Sequence, residues 1–515
     1  MENFSILVSI IILLNASVVL VDSSSSSSDS HVHYVNRLTK RGILRGTTEQ
    51  VLGRNVSIFL GIPFAKPPVG ELRFKRPEPF PKWDHIRNAT QLPASCYQLI
   101  DKSFDRFQGV DMWNPNTERS EDCLYLNVWQ PVTTSSSSSK KKAVMVWIYG
   151  GSFSTGTSTL ELYDARILAA KGDVVVVSMQ YRLGPLGFLY LGIPEAPGNQ
   201  GLLDQQLALQ WIRENIDSFD GDPHRVTLFG ESAGAFSVSL HLLSPKSKDL
   251  VKSGIMQSAS AVAPWGLDAP AIAKRKASEL AKISKCHSGQ DTEIVKCLRG
   301  VDAEMFNSNQ QKIDDKESVL FTPFVPTIDD FFLEELPIET LKKGKFKQGS
   351  ILLGVNRDEG FYFLAYLQTH HFDLNASSNV TAVEYREIVS SILDAADKTS
   401  LIADSVAFEY GAPYFLNESA LYRKVLDDIF GDVSFKCPVV DFALYYAKDE
   451  VDVYMYNFKH RTSANPWPSW MGVMHGYEID HVFGMPLNDS LNYTKAEKLL
   501  SEKILQYWTN FAKTG

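Results

Sequence analysis

Residues 229–235 read Phe-Gly-Glu-Ser-Ala-Gly-Ala, and they decide how the rest of the chain is read. The apolar run Arg225–Phe229 before them has the character of a buried strand. The stretch from Ala233 onward, AGAFSVSLHLLS, has the character of a helix. Between the two sits Gly230-Glu-Ser-Ala-Gly234, a G-x-S-x-G pattern in the strand–turn–helix context that a nucleophile elbow requires. Its two glycines are expected to let the chain turn sharply, so that the Ser232 hydroxyl stands clear of the backbone. A bare pattern of this kind also occurs in ordinary Gly-rich turns, so its weight depends on the partners.

A serine needs a base to take its proton, and the base needs a carboxylate to hold it. Behind an elbow of this type the order along the chain is nucleophile, acid, histidine. Glu359 follows an apolar run in Gly354-Val-Asn-Arg-Asp-Glu-Gly360, with Asp358 beside it as a rival. His475 lies in the Gly-flanked stretch Trp470-Met-Gly-Val-Met-His-Gly-Tyr-Glu478, and is one of 11 histidines. The residues alone leave these choices open.

Further out, apolar runs alternate with helix-like stretches. The runs are 143–149, 174–179, 225–229 and 253–257, with others at 349–355 and 451–458; residues 201–216 carry helical periodicity. This alternation argues for an α/β architecture, a mostly parallel twisted sheet with helices on both faces. The N-terminal part, 31–83, reads as short strands and turns, and its many prolines forbid long helices. Residues 135–142 (SSSSSKKK) read as a polar surface loop. With no repeat and no linker, 31–515 is expected to be one domain.

The chain has 515 residues, 44% of them hydrophobic, ample for a large core. A net charge of −9 argues against a nucleic-acid partner. The apolar run 4–21 reads as a secretory signal peptide (1–22) ahead of a Ser-rich segment (23–30), although its start carries no Lys or Arg. An uncleaved anchor is the alternative. After the signal segment, seven N-x-S/T triplets, at Asn55, Asn88, Asn375, Asn379, Asn417, Asn488 and Asn492, fit an exported glycoprotein. Five cysteines fit export too. Cys96 with Cys123, and Cys286 with Cys297, could close local loops. Cys437 is left over, and its partner is expected in a C-terminal part beyond Gly515, unless it is a free or intermolecular thiol.

The motifs EDCLYLNVW (121–129), WIYGG (147–151), APGNQGLLDQQLALQWI (196–212), FGESAGA (229–235), GVNRDEG (354–360) and WMGVMHGYEI (470–479) together resemble the type-B carboxylesterases, and within that family the acetylcholinesterases. The resemblance runs from Gly42 to Gly515. It implies an α/β-hydrolase fold with Ser232 as nucleophile, Glu359 as acid and His475 as base, and sets Asp358 aside. It implies hydrolysis of a small cationic ester, acetylcholine, through an acyl-enzyme, with no cofactor and no metal. The oxyanion donors would be Gly151, Ser152 and Ala233, each worth about 3–4 kcal/mol of barrier.

A quaternary ammonium offers no ordinary hydrogen bond and is read by aromatic faces. The resemblance puts Trp113 against the cationic head, Tyr362, Phe363 and Tyr366 in the same gorge, Tyr163 on its floor and Glu231 as added negative charge. Trp265 and Phe363, with either Leu320 or Phe321, would bound the acyl group, and acetyl is expected over butyryl. Asp101 would mark the entrance.

Two departures stand out. The usual Gly-Gly-Gly-Phe is here Gly150-Gly-Ser-Phe153. If Ser152 has positive φ, it costs roughly 1–3 kcal/mol, and its hydroxymethyl is expected to narrow the site against bulky inhibitors while slowing turnover. Aromatics expected at the entrance are replaced by Leu99 and Ser154, so peripheral ligands are expected to bind weakly. The competing readings are a general carboxylesterase for neutral esters, which needs neither Trp113 nor Asp101, and a slow or non-catalytic scavenger on the same fold. A homodimer or a membrane anchor through the C-terminal part is also open, with an extracellular location in either case.

Overall fold

The computed structural model describes residues 33–132, 140–314, 320, 322–375, 379–393, 401–411, 419–448 and 450–515. The expected signal peptide and Ser-rich segment, most of the 135–142 loop, Phe321 and Asn417 lie outside the described residues.

The apolar runs become strands of one large sheet. In chain order these are β1 (His33–Leu38), β2 (Ile43–Val51), β3 (Arg54–Pro63), β4 (Ile86–Asn88), β5 (Tyr125–Pro131), β6 (Lys142–Ile148), β7 (Val175–Met179), β8 (Gly221–Glu231), β9 (Ser253–Gln257), β10 (Ile351–Asn356) and β11 (Val453–Phe458). Among the described residues the spatial order is β1-β2-β3-β5-β7-β6-β8-β9-β10-β11, with β4 beside β2. Along this order the N-terminal strands pair antiparallel up to β5/β7, while the short β4 pairs parallel with β2. From β7 to β11 every pairing is parallel. The sheet is therefore mixed but mainly parallel through its centre, as an α/β-hydrolase fold requires.

The parallel strands β6, β7 and β9 are buried almost from end to end. Continuous apolar runs, rather than alternating ones, are what helices on both faces demand. Those helices include α1 (Gln200–Asn215), α2 (Ala233–Leu243), α3 (Gly360–Leu367), α4 (Ser419–Gly431), α5 (Cys437–Ala447) and α6 (Lys495–Thr514). Buried Arg182 and Asp204 tie α1 to the loop after β7 through paired contacts of 2.8 Å. Cys96–Cys123 and Cys286–Cys297 are disulfides; Cys437 is exposed and has no disulfide partner among the described residues. Among those residues no helix is long and apolar enough to cross a membrane.

Candidate active site

Strand β8 ends at Glu231 and helix α2 begins at Ala233, so Ser232 is the single residue of the turn. It sits at φ 55°, ψ −125°, a region that L-residues occupy only under constraint. This corrects the expected role of the glycines: the left-handed residue is the serine itself. Gly230 and Gly234 are needed for clearance instead. A Cβ on Gly234 would lie 2.0 Å from the Ile148 carbonyl oxygen, and one on Gly230 would lie 2.6 Å from that same oxygen. The elbow is pressed against the end of β6, which brings the Gly150–Phe153 loop next to Ser232.

In that loop Ser152 has φ 53° and Phe153 φ 60°. Two consecutive non-glycine residues thus occupy the left-handed region, at about 1–3 kcal/mol each. Buried Phe153 is held by Phe188 and Phe236, with ring centroids at 5.2 and 5.8 Å. Among the described residues the N–H groups of Gly151 and Ser152 donate no backbone hydrogen bond. Ala233 opens α2, where N–H groups have no intrahelical acceptor. Three free donors therefore cluster around the serine.

His475 lies in a loop shaped by Gly472 (φ 66°) and Gly476 (φ 81°). Its Nδ1 is 2.6 Å from Glu359 Oε2, and the other Glu359 oxygen accepts the Asn356 N–H at 2.6 Å. Asp358 points elsewhere: its carboxylate accepts the Val473 N–H and the Arg357 Nε. His475 Nε2 faces Glu231 Oε1 at 3.0 Å, without an aligned hydrogen bond. Burial alone would lower the imidazole pKa, but Glu231 and then Glu359 outweigh it and push it up to about 10.

Ser232, His475, Glu231, Gly151, Ser152, Trp113, Tyr163, Tyr362 and Phe363 line one cavity of about 90 Å³. Nine of the expected residues therefore meet. A larger cavity of about 500 Å³ shares Trp113, Leu160 and Gly476 with it and does not contain Ser232. Asp101 and Tyr366 are not in the lining but connect to it. Tyr366 donates to Asp101 at 2.9 Å and packs on Tyr362 with centroids 5.3 Å apart. Burial first, then Tyr362 and Asp101, hold the Tyr366 phenol far above its ordinary range. Trp265 is set back behind Phe153 and Phe435, its Nε1 donating to the Ser434 carbonyl at 2.9 Å. Leu320 is half-buried.

Two further residues belong to the site. Phe435 lies in a π-helical turn, Asp432–Lys436, and its ring centroid is 4.5 Å from that of His475 and 5.0 Å from that of Phe363. Turns of this kind recur where a helix re-aims a side chain. Nothing near Phe435 in the chain announced it, because its partner is 40 residues away. Glu478 is buried and accepts hydrogen bonds from Gln257 at 2.9 Å and Asn356 at 2.6 Å. Burial, then Glu231, raise its carboxyl to about 7. Its signal was present: a lone acid three residues after His475 in an otherwise apolar motif. Of the glycosylation triplets, Asn55, Asn88, Asn375, Asn379 and Asn492 are exposed and Asn488 is half-buried. Among the described residues no cluster of three or more His, Cys, Asp or Glu is placed to hold a metal ion.

A strained serine at a strand–helix elbow and a histidine on a buried carboxylate, both carried by a mainly parallel sheet, define a serine hydrolase. The chain belongs to the carboxylesterase family, whose model matches residues 34–515, and it is a carboxylic ester hydrolase. It is 48% identical over 478 residues to a cholinesterase of Mus musculus, covering 93% of this chain and 78% of that protein. An acetylcholinesterase of Bungarus fasciatus is 47% identical over the same shares of the two chains. An acetylcholinesterase of Leptinotarsa decemlineata is 42% identical over 509 residues, 95% of this chain and 80% of its own.

Proposed function

We propose that this esterase cleaves acetylcholine to choline and acetate, with Ser232 as nucleophile, His475 as general base and Glu359 as the acid that orients it. The observation that carries the reading is a shared cavity: Ser232 and His475 face the same space as the aromatic faces of Trp113, Tyr362 and Phe363 and the carboxylate of Glu231. Acyl chemistry and cation recognition meet there within one small volume.

In the first step His475 takes the Ser232 proton, Ser232 Oγ attacks the ester carbonyl, and the oxyanion turns to the N–H groups of Gly151, Ser152 and Ala233. The imidazolium then gives its proton to the leaving choline oxygen. Water repeats the sequence on the acyl-enzyme. Glu231 makes this chemistry responsive to the substrate. Its carboxylate beside Nε2 favours the imidazolium and so opposes the role of His475 as a base. An ammonium group placed against Trp113 lies next to Glu231, offsets its field and lowers the imidazole pKa toward the working range.

Tyr163 forms the floor, Asp101 and Tyr366 mark the entrance, and Trp265 with Phe435 backs the acyl side, favouring acetyl over butyryl. Residues 31–515 form the catalytic domain of a secreted glycoprotein behind a signal peptide at 1–22.

The test is Trp113→Ala, assayed on acetylthiocholine and on its uncharged isostere with a tert-butyl carbon in place of the ammonium. A cation–π contact of up to about 2 kcal/mol predicts a kcat/KM loss of up to about 30-fold on the cationic ester. A loss of the same size on the neutral ester would make Trp113 a wall and the enzyme a general carboxylesterase.

A further inference from the structure

Glu359 and His475 lie 116 residues apart in sequence and are carried by two separate loops, yet their side chains meet at 2.6 Å. Something must hold those loops in register. The Glu359 loop is gripped from α4: Asp427, fully buried, accepts the N–H groups of Gly360 and Phe361 on one carboxylate oxygen, both at 2.8 Å. The His475 loop is gripped by Asp358, whose carboxylate accepts the Val473 N–H at 2.6 Å while its own N–H donates to the Val473 carbonyl at 3.0 Å. Gly472 is the residue that lets Asp358 in, because a Cβ there would lie 2.0 Å from the Asp358 carboxylate.

The remaining oxygens of the two aspartates converge on one ammonium. Lys424 Nζ is 3.0 Å from Asp427 Oδ2, 3.4 Å from Asp358 Oδ1 and 2.5 Å from Asp428 Oδ1. The other charges at this point are Arg357, on Asp358 at 2.8 Å, Arg461, which donates to the Gly472 carbonyl at 2.9 Å and feels the Asp358 carboxylate, and Lys436, which pairs with Asp432 at 3.1 Å and approaches Asp428 at 3.6 Å. We infer that Lys424 is a positioning residue: its ammonium is the bolt that holds, from α4, both carboxylates anchoring the triad, Asp427 on the N–H groups after Glu359 and Asp358 on the loop that carries His475. The inference rests on the triad assignment made above.

The consequence of removing the bolt follows from the buried carboxylates. Burial pushes Asp427 up to about 7 even with Lys424 against it, and Asp358 adds to the push. Without the ammonium, Asp358 keeps Arg357, but buried Asp427 loses the cation paired with it and faces the Asp358 carboxylate. One of the two carboxylates takes a proton or turns away, and the N–H groups that it anchored are released. Lys424 touches no substrate-facing atom, so the loss falls on the rate rather than on binding.

The experiment uses the full chain with Lys424→Met and Lys424→Arg. The Lys424 side chain is 42% exposed, so both variants are expected to fold. An organophosphate that labels Ser232 counts the competent sites in each preparation, and kcat is expressed per labelled site. Lys424→Met is expected to lower per-site kcat about tenfold with KM unchanged, to slow organophosphate labelling by a similar factor, and to be rescued at least halfway by Lys424→Arg, which keeps the charge. Per-site kcat within twofold of wild type, or a loss explained wholly by fewer labelled sites, would overturn the inference. A wild type that turns over esters without label on Ser232 would remove the triad assignment and the inference with it.

Discussion

Glu231→Gln is the most informative single change, because Glu231 has two effects that pull in opposite directions. Its Oε1 sits 3.0 Å from His475 Nε2. A unit charge at 4 Å is worth about 4 kcal/mol at an effective dielectric of 20. At 1.36 kcal/mol per pH unit that is about 3 units, and the cost of desolvating Glu231 itself brings the expected shift to about 1–3 units. The sign is fixed: a carboxylate stabilises the imidazolium, so removing it lowers the pKa of His475. The assay is the pH profile of kcat/KM, whose rising limb reports the free enzyme. The limb should move down by about 1–3 units in Glu231→Gln, and the neutral isostere should gain activity at neutral pH. The cationic ester loses its charge partner in the same variant, so its KM should rise. A limb that stays within 0.3 unit of wild type on the logarithmic scale of about 1 unit per 1.36 kcal/mol, or one that moves up, would refute the electrostatic account of the base.

Three further outcomes follow from particular contacts. Ser152→Gly removes a side chain from the cavity and a left-handed strain; organophosphate and carbamate inactivation rates should rise about tenfold, the equivalent of 1.4 kcal/mol, and unchanged rates would show that Ser152 does not obstruct the site. Glu497 accepts hydrogen bonds from the N–H and hydroxyl groups of both Ser463 and Thr494, which hold its carboxyl down at about 2 against the effect of burial. Its contribution is present above the unfolded carboxylate range and lost as pH falls through about 2, so Glu497→Gln should cost about 1–2 kcal/mol at pH 7, with the difference in melting temperature disappearing toward pH 2. Phe435→Ala opens space beside His475 and Phe363; butyrylthiocholine turnover should gain on acetylthiocholine by roughly fivefold, about 1 kcal/mol for the methylenes admitted, and an unchanged ratio would place the acyl boundary elsewhere.

The elbow was legible because its signal is local: an apolar strand, two glycines and an apolar helix within about four turns of chain. Even so, the residues did not reveal why the glycines are there, since their clearance is against Ile148, on a strand more than 80 residues earlier. The parallel strands were legible within two residues where burial on both faces made them continuously apolar, and least so at β8, which begins at Gly221 rather than Arg225. The N-terminal strands were anticipated only as short runs between turns, whereas β2 and β3 are nine and ten residues long and pair as antiparallel neighbours. The choice of Glu359 over Asp358 came from family resemblance. The residues alone left it open, and the reason is now visible: both carboxylates are buried and bonded, one to His475 and the other to the backbone that carries it. The approach of Glu231 to His475, the reach of Phe435 and the bolt at Lys424 all join distant segments, and no periodicity or spacing encodes them.

The central claim is that Ser232 becomes acylated by a choline ester. Its most direct measurement is rapid-quench hydrolysis of acetylthiocholine bearing an isotopically labelled acetyl group, with peptide mapping of the quenched protein. The account predicts acetyl on the peptide that contains Ser232, formed within one turnover and absent in Ser232→Ala, which should turn over no substrate. Steady turnover without acetyl on that peptide, or turnover surviving in Ser232→Ala, would contradict it.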